Sequence, residues 1–201
     1  MKIGIIAEDK SDVEVMGEFT LALLKPHKVA FKHFVGDGCG KLRKKCAAWA
    51  DILVRQGCGW VVVIHDLDDF NETELRAHLI RAVSSACPKK SVVLIPKREL
   101  ESWLLYDGAA IAAAFGSREG PSLPADPEAL ADPKKHLQVL VWKTYRKRYL
   151  NTIHNLSIAR GVRIALLARA RSFLPYPPFA ADIKRQVGQT KLRASGGHGR
   201  H

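Results

Sequence analysis

The sequence predicts an α/β fold: a four-stranded, mainly parallel sheet flanked by helices, followed by a basic α-helical C-terminal extension. Three observations predict it. Short β-branched runs alternate with segments whose apolar residues recur at helical spacing, the pattern of parallel strands joined by right-handed crossovers. The run Trp60–Ile64 contains no polar position beyond the Trp60 ring nitrogen, as suits a central strand covered on both faces. Charge is also split along the chain. Residues 1–132 hold 17 Lys/Arg and 19 Asp/Glu, whereas residues 133–201 hold 15 Lys/Arg and one acid, Asp182.

Taken in order, Ile3 to Ala7 reads as the first strand, with Glu8 at its carboxyl end. Ser11 or Asp12 then caps a helix carrying Val13, Met16, Phe19, Leu23 and Leu24, and Pro26 lies just past its end. Val29 to Val35 is a second strand, nearer an edge. The turn Gly36-Asp37-Gly38-Cys39-Gly40 leads into a helix at about 41–56 that opens with Lys41, Arg43, Lys44 and Lys45. It lacks the Walker spacing and any Lys-Ser/Thr pair, so a tight turn accounts for these glycines better than a phosphate cradle.

After the third strand, Asn71 caps a helix over 72–87, with Glu72 and Glu74 in its favourable first turn. Ser91 to Ile95 is the fourth strand, stopped by Pro96, and Glu99 and Glu101 open the next helix. The expected organisation is a core over 1–115, a Gly/Pro-rich linker over 116–133, a basic helical extension over 134–190 packed on that core, and a disordered tail over 191–201. The three prolines in Ser172 to Phe179 predict an extended segment lying against the core. The four cysteines form no CxxC pair, and no apolar stretch approaches the roughly 20 residues of a membrane span. With no leader in the first residues either, a cytoplasmic protein with reduced thiols and no membrane partner is expected.

The chemistry is expected where the third strand stops. Three carboxylates, Asp66, Asp68 and Asp69, fall within four residues directly beyond it. In open α/β sheets functional groups gather beyond the carboxyl ends of the strands. In an extended segment Asp66 and Asp68 would point the same way and repel unless a proton or cation lies between them. Glu8 after the first strand and Glu99 and Glu101 after the fourth bring further oxygens. Such a set suits Mg²⁺ or Mn²⁺, hard cations bound by carboxylate, water and substrate phosphate.

Structural roles compete with these. Asp12 serves equally well as a cap, and acids in a first helical turn, such as Glu99 and Glu101, are stabilised without any function. Those two also sit two apart on a helix and so face different ways. His65 should face away from Asp66, into the core or onto a neighbouring ligand, and Trp103 is expected in the core. Lys97 and Arg98 lie beside the acids and are expected to neutralise phosphate of a bound nucleic acid, with solvated surface charge as the plainer reading. In the basic part, Lys143, Arg146, Lys147 and Arg148, with Arg160, Arg163, Arg169 and Arg171, are expected to touch the phosphates of a nucleic acid.

Ile3-Gly4-Ile5-Ile6-Ala7-Glu8-Asp9-Lys10-Ser11-Asp12 resembles the first Toprim motif, a strand ending in Glu with an acid four residues later. Val63-Ile64-His65-Asp66-Leu67-Asp68 resembles the second, a strand ending in Asp-x-Asp. Glu99-Leu100-Glu101-Ser102-Trp103-Leu104-Leu105-Tyr106-Asp107 and Asp132-Pro133-Lys134-Lys135 are similar to a family of small stand-alone Toprim-like proteins related to the overcoming-lysogenization-defect nucleases. The resemblance covers most of residues 1–150 and implies a Rossmann-like core. It gives Glu8 a general acid/base or metal-ligand role and Asp66 and Asp68 a metal-binding one. Asp12 and Glu101 would be further metal-site acids, with Glu99 an alternate to Glu101. It also implies a setting in prokaryotic genome defence, where a partner protein such as a defence-system ATPase is expected. Asp9 stands where the family usually has Gly.

The expected function is therefore metal-dependent hydrolysis of DNA or RNA. Two other readings compete. Asp66-Leu67-Asp68-Asp69 is close to the nucleophile loop of haloacid-dehalogenase-type phosphatases, but Phe70 replaces the hydroxyl residue expected there, and the loop follows the third strand instead of the first. A catalytically silent nucleic-acid- or partner-binding subunit would keep the basic part and not need the acids.

Overall fold

The computed structural model describes residues 1–196 apart from Asp37 and Lys89, and their side chains other than those of Cys39 and residues 190–196. Four strands, β1 (Lys2–Ala7), β2 (Ala30–Val35), β3 (Trp60–Ile64) and β4 (Ser91–Leu94), form one sheet in the order β2-β1-β3-β4. Every neighbouring pair is parallel. The crossovers are α1 (Lys10–Leu24), α2 (Cys39–Arg55) and α3 (Glu72–Ser84). The result is a Rossmann-like α/β arrangement with no antiparallel strand in the sheet.

Because strands alternate their side chains, the sheet feeds two cores. Ile3, Ile5, Ala7, Val62, Ile64 and Leu94 face α1 and the helices that follow β4. Ile6, Val61, Val63, Val93 and Ile95 face α2 and α3. On that second face Gly4 lets α2 approach closely, since a Cβ there would lie 2.8 Å from Leu53 Cδ1.

The chain after β4 continues as α4 (Glu101–Leu104), α5 (Gly108–Ala114), α6 (Pro133–Tyr145), α7 (Asn151–Gly161) and α8 (Tyr176–Gly196), with 3₁₀ turns at Pro127–Ala129, Ile164–Arg169 and Arg171–Phe173. Leu137, Ile158, Leu167, Phe173 and Tyr176 are buried in the same core as α1. Ser172 to Phe179 is not extended: a 3₁₀ turn and the start of α8 occupy it. Pro177 and Pro178 fall in the first turn of α8, where an N–H has no helical partner and the fixed proline φ is already helical. The backbone of α8 is helical through Gly196, six residues into the segment expected to be disordered, and 197–201 lie outside the described residues.

Two further expectations need adjustment. The cap of α1 is Asp9, not Ser11 or Asp12. Its carboxylate accepts the Asp12 amide (3.0 Å) while Asp12 Oδ2 accepts the Asp9 amide (3.2 Å), a reciprocal capping box. Asp9 thus has a local reason to be an aspartate, and its φ of −134° needs no glycine. The helix expected at 72–87 ends at Ser84, and Glu99 lies in a bend ahead of α4. Among the described residues, no helix is long and apolar enough to cross a membrane.

Candidate functional site

The strand order places the site. From β1 the chain steps to β2 on one side and then crosses to β3 on the other, so the carboxyl ends of β1 and β3 border a topological switch point, where open α/β sheets bind ligands. The register sets Ile6 opposite Val63, which carries Glu8 level with His65 and next to Asp66. Glu8 Oε1 accepts the Asp66 amide at 3.0 Å and lies 2.8 Å from Nδ1 of the fully buried His65. The same Nδ1 lies 2.6 Å from the Asp66 carbonyl, so the ring sits against both Glu8 and the Asp66 backbone, and it packs edge-on to Phe70.

Asp66 points inward. Its Oδ1 is enclosed and has no hydrogen-bond partner. Burial foremost, then the charges of Asp12, Glu101, Glu8 and Asp68, hold its carboxyl well above the ordinary range. Asp12, 7% exposed, is likewise held up, by burial, then by Asp9, and further by Glu101 and Glu8. Glu8, Asp12, Asp66 and Glu101 are thus mutual electrostatic neighbours drawn from three strand ends and the first turn of α1.

Asp68 sits differently. Beyond Ile64 the chain leaves the extended conformation, and Asp68 has φ 44° in a turn tied to the β4–α4 loop by its amide on the Arg98 carbonyl (3.1 Å). Arg98, at φ 61°, returns NH1 to the Asp68 carbonyl at 2.9 Å. Asp66 and Asp68 therefore do not stand side by side. Asp68 is exposed at the rim of a cavity of about 530 Å³ lined also by Asp69, Phe70, Arg98, Glu99, Ala131 and Asp132. Partial burial and Glu8 push its carboxyl up, against His65 and Arg98.

Glu101, 3% exposed, is held by residues that the sequence did not single out. The Tyr149 hydroxyl donates to Glu101 Oε1 at 3.0 Å and also touches Asn155 Oδ1. Asn155 Nδ2 donates to the same Glu101 oxygen (3.2 Å) and to Ser11 Oγ (2.9 Å). Burial and the negative charge of Glu101 push the Tyr149 phenol far up, so it stays a donor. Glu99 turns away: its Oε2 accepts the Lys134 amide at 3.0 Å, in the first turn of α6. Lys134 is half-buried, which opposes its charge, yet Glu101, Glu99, Asp66 and Asp9 together hold its ammonium above the usual range. Lys134 was visible only as part of a motif string, and nothing local marks Tyr149 or Asn155.

The basic residues divide into two groups. Lys97 is paired with Glu72, and Arg98 with Asp69. Arg163 grips the buried carboxylate of Asp107 through Nε and NH2, each at 2.9 Å, while its side chain stays 65% exposed. Lys147 donates to the Phe115 carbonyl at 2.6 Å. Lys143, Arg146 and Arg148 are exposed at the end of α6 and in the loop after it.

The orphaned Asp66 oxygen and the mutual repulsion of four acids suit a hard cation. Their placement does not yet form a ligand sphere: among the described residues, no group of three His, Cys, Asp or Glu side chains is arranged to hold a metal ion. Comparison with protein-family models, curated proteins and solved structures finds no match to this chain.

Proposed function

We propose that the chain is a Mg²⁺- or Mn²⁺-dependent nuclease with a Toprim-like core, hydrolysing phosphodiesters of DNA or RNA in the cytoplasm. The observation that carries this reading is the buried, unpartnered Asp66 oxygen within a set of mutually repelling carboxylates at the switch point of a parallel sheet. Asp66, Glu8, Asp12 and Glu101 would hold the ion, which when bound neutralises charge on a phosphoryl oxygen and activates water. The protein's own part follows from its contacts. The Asp66 amide holds the Glu8 carboxylate, with His65 Nδ1 beside it. Tyr149 and Asn155 fix Glu101. The Lys134 ammonium, beside the acids, offers a counter-charge to a phosphate, and Asp68, which Glu8 repels, lines with Arg98 a cavity that would take part of the strand.

A second reading has an observation of its own. The exposed cations Lys143, Arg146 and Arg148 would serve binding without the acids, so a catalytically silent nucleic-acid- or partner-binding subunit fits the same fold. Plasmid DNA, single-stranded DNA and RNA incubated with Mg²⁺, Mn²⁺ or chelator, beside an Asp66→Ala/Asp68→Ala variant, separate the two. Metal-dependent cleavage lost in the variant is the expected result. Retained binding with no cleavage by the parent chain supports the silent subunit.

A further inference from the structure

Helix α6 ends at Tyr145, and Arg146, in the left-handed conformation (φ 55°), donates its amide to the Trp142 carbonyl at 3.0 Å. That turn folds residues 147–150 back beside the last turns of the helix. A pocket of about 350 Å³ results, lined by Gln138, Trp142, Lys147, Arg148, Tyr149 and Leu150. Trp142 is 55% exposed, unlike Trp103, which is fully buried, and Trp49, at 9%. No carboxylate lines this pocket; Arg148 lines it, Lys143 and Arg146 are exposed and adjoin its lining residues in the chain, and none of the three has an ion-pair partner among the described residues.

We propose that this pocket binds one unpaired base of a single-stranded nucleic acid, stacked on Trp142, with the flanking phosphates on Lys143, Arg146 and Arg148. An exposed indole among unpaired cations is the combination that binds single strands: the ring accepts any base face and the cations track the backbone. A duplex keeps its bases stacked within the helix and presents none to a pocket of this size. Gln138 adds an amide at the pocket wall for a base edge. A protein partner would use the exposed Val139 and Ile153 equally well, but the exposed cations on and next to the pocket favour a polyanion.

The pocket also connects to the acids. Tyr149 contributes to its wall, and the hydroxyl of the same side chain donates to Glu101 Oε1. The loop then enters α7, whose Asn151 carbonyl accepts Ser11 Oγ (3.4 Å), one residue from Asp12. A strand held on Trp142 is therefore one tyrosine side chain from the carboxylates. The inference rests on nucleic acid being the ligand, as proposed above, and does not need the acids to be catalytic.

The test is a titration of the full chain with a single-stranded oligothymidylate in EDTA, where metal-dependent cleavage is switched off, followed by intrinsic tryptophan emission and by anisotropy of a labelled strand. Quenching is expected, with the single strand bound at least about tenfold more tightly than a duplex of equal length. Trp142→Ala should weaken binding by roughly 5- to 100-fold and abolish most of the quenching, while Trp142→Phe retains most of the affinity. Arg148→Ala should weaken single strand and duplex alike and lower the salt slope by about one phosphate. Unchanged thermal melts would show that the exposed substitutions leave the fold intact. Equal affinity of parent and Trp142→Ala, equal binding of duplex, or Trp142-dependent self-association without oligonucleotide binding would each overturn the proposal. Binding that behaves as described in a chain that never cleaves would keep this inference and remove the nuclease.

Discussion

Glu99 and Glu101 are two positions apart and hold different parts of the molecule. Glu101 Oε1 receives Tyr149 and Asn155 among the buried acids, whereas Glu99 Oε2 receives the Lys134 amide at the start of α6. Substitution should separate them. Glu99→Ala removes an acceptor from a helix N-terminus, a loss of about 1 kcal/mol, or about 2–4 °C in Tm for a chain of this length. Cleavage should change little. Glu101→Gln should keep the fold and abolish metal-dependent cleavage. A melt and a cleavage assay on each variant check the pair, and equal loss of activity in both would contradict the division.

The repulsion around Asp66 has a pH signature. Its carboxyl is held above the ordinary range by burial and by the acids facing it. A raised folded-state pKa means the unfolded chain gives up its proton first as pH rises, so stability is lost between the ordinary carboxylate pKa and the raised one. In EDTA, Tm should rise as pH is lowered through the raised pKa toward the ordinary carboxylate range. Asp66→Asn should raise Tm at pH 7 by about 2–4 °C, corresponding to about 1 kcal/mol, and flatten the pH dependence. Mn²⁺ should stabilise the parent and not the variant.

Asp107 shows the opposite sign. Burial pushes its carboxyl up, but the side chain and backbone N–H of Arg163 and the Ala110 amide outweigh it and hold the pKa below the ordinary range. That stabilisation is present above the ordinary carboxylate pKa and disappears as pH falls through the lowered one. Asp107 also caps α5 through the Ala109 and Ala110 amides at 3.1 and 3.2 Å. Asp107→Ala should therefore cost about 2–4 kcal/mol. Arg163→Ala should cost less, since the arginine is 65% exposed and Asp107 keeps its amide donors. The salt dependence of nucleic-acid binding should not change in Arg163→Ala, which a titration at two salt concentrations reads directly.

The contact between α7 and α5 is set by Gly161, where a Cβ would meet Ala110 Cβ at 3.2 Å and its Cα at 3.3 Å. The obstacle includes main chain, which cannot rotate away. Gly161→Ala should destabilise by about 1–3 kcal/mol, seen in urea unfolding. Through α7 it should also disturb Asn155 and so lower cleavage.

The strands were legible because their signal is local: β-branched runs bounded by Gly, Pro and acids, with β3 found at its observed limits. Glu8 and Asp66 were legible because strand ends in a parallel sheet share one edge. The partners of the cations were not. Arg163 and Asp107 are 56 residues apart, Lys97 and Glu72 are 25, and a basic residue that closes an ion pair reads in sequence like one that awaits phosphate. Tyr149 and Asn155 escaped for the same reason, since only the packing of α7 on α1 brings them to Glu101. The extended reading of Ser172 to Phe179 treated prolines as breakers without regard to their position in the first helical turn.

The aromatic contacts of the last helices have a wider consequence. Phe173 packs edge-on to Phe19 of α1 (5.8 Å between ring centres) and to Trp103 (5.2 Å), and the Tyr176 hydroxyl touches Thr20. The cationic last third of the chain thus supplies the inner wall of the sheet-bearing first two thirds. Neither could be exchanged, shortened or grafted onto another protein without exposing the sheet face that α1 and the last helices close together. Any ancestral gain of the basic helices would have had to remodel the interior at the same time, and a single cooperative melting transition is the behaviour that follows.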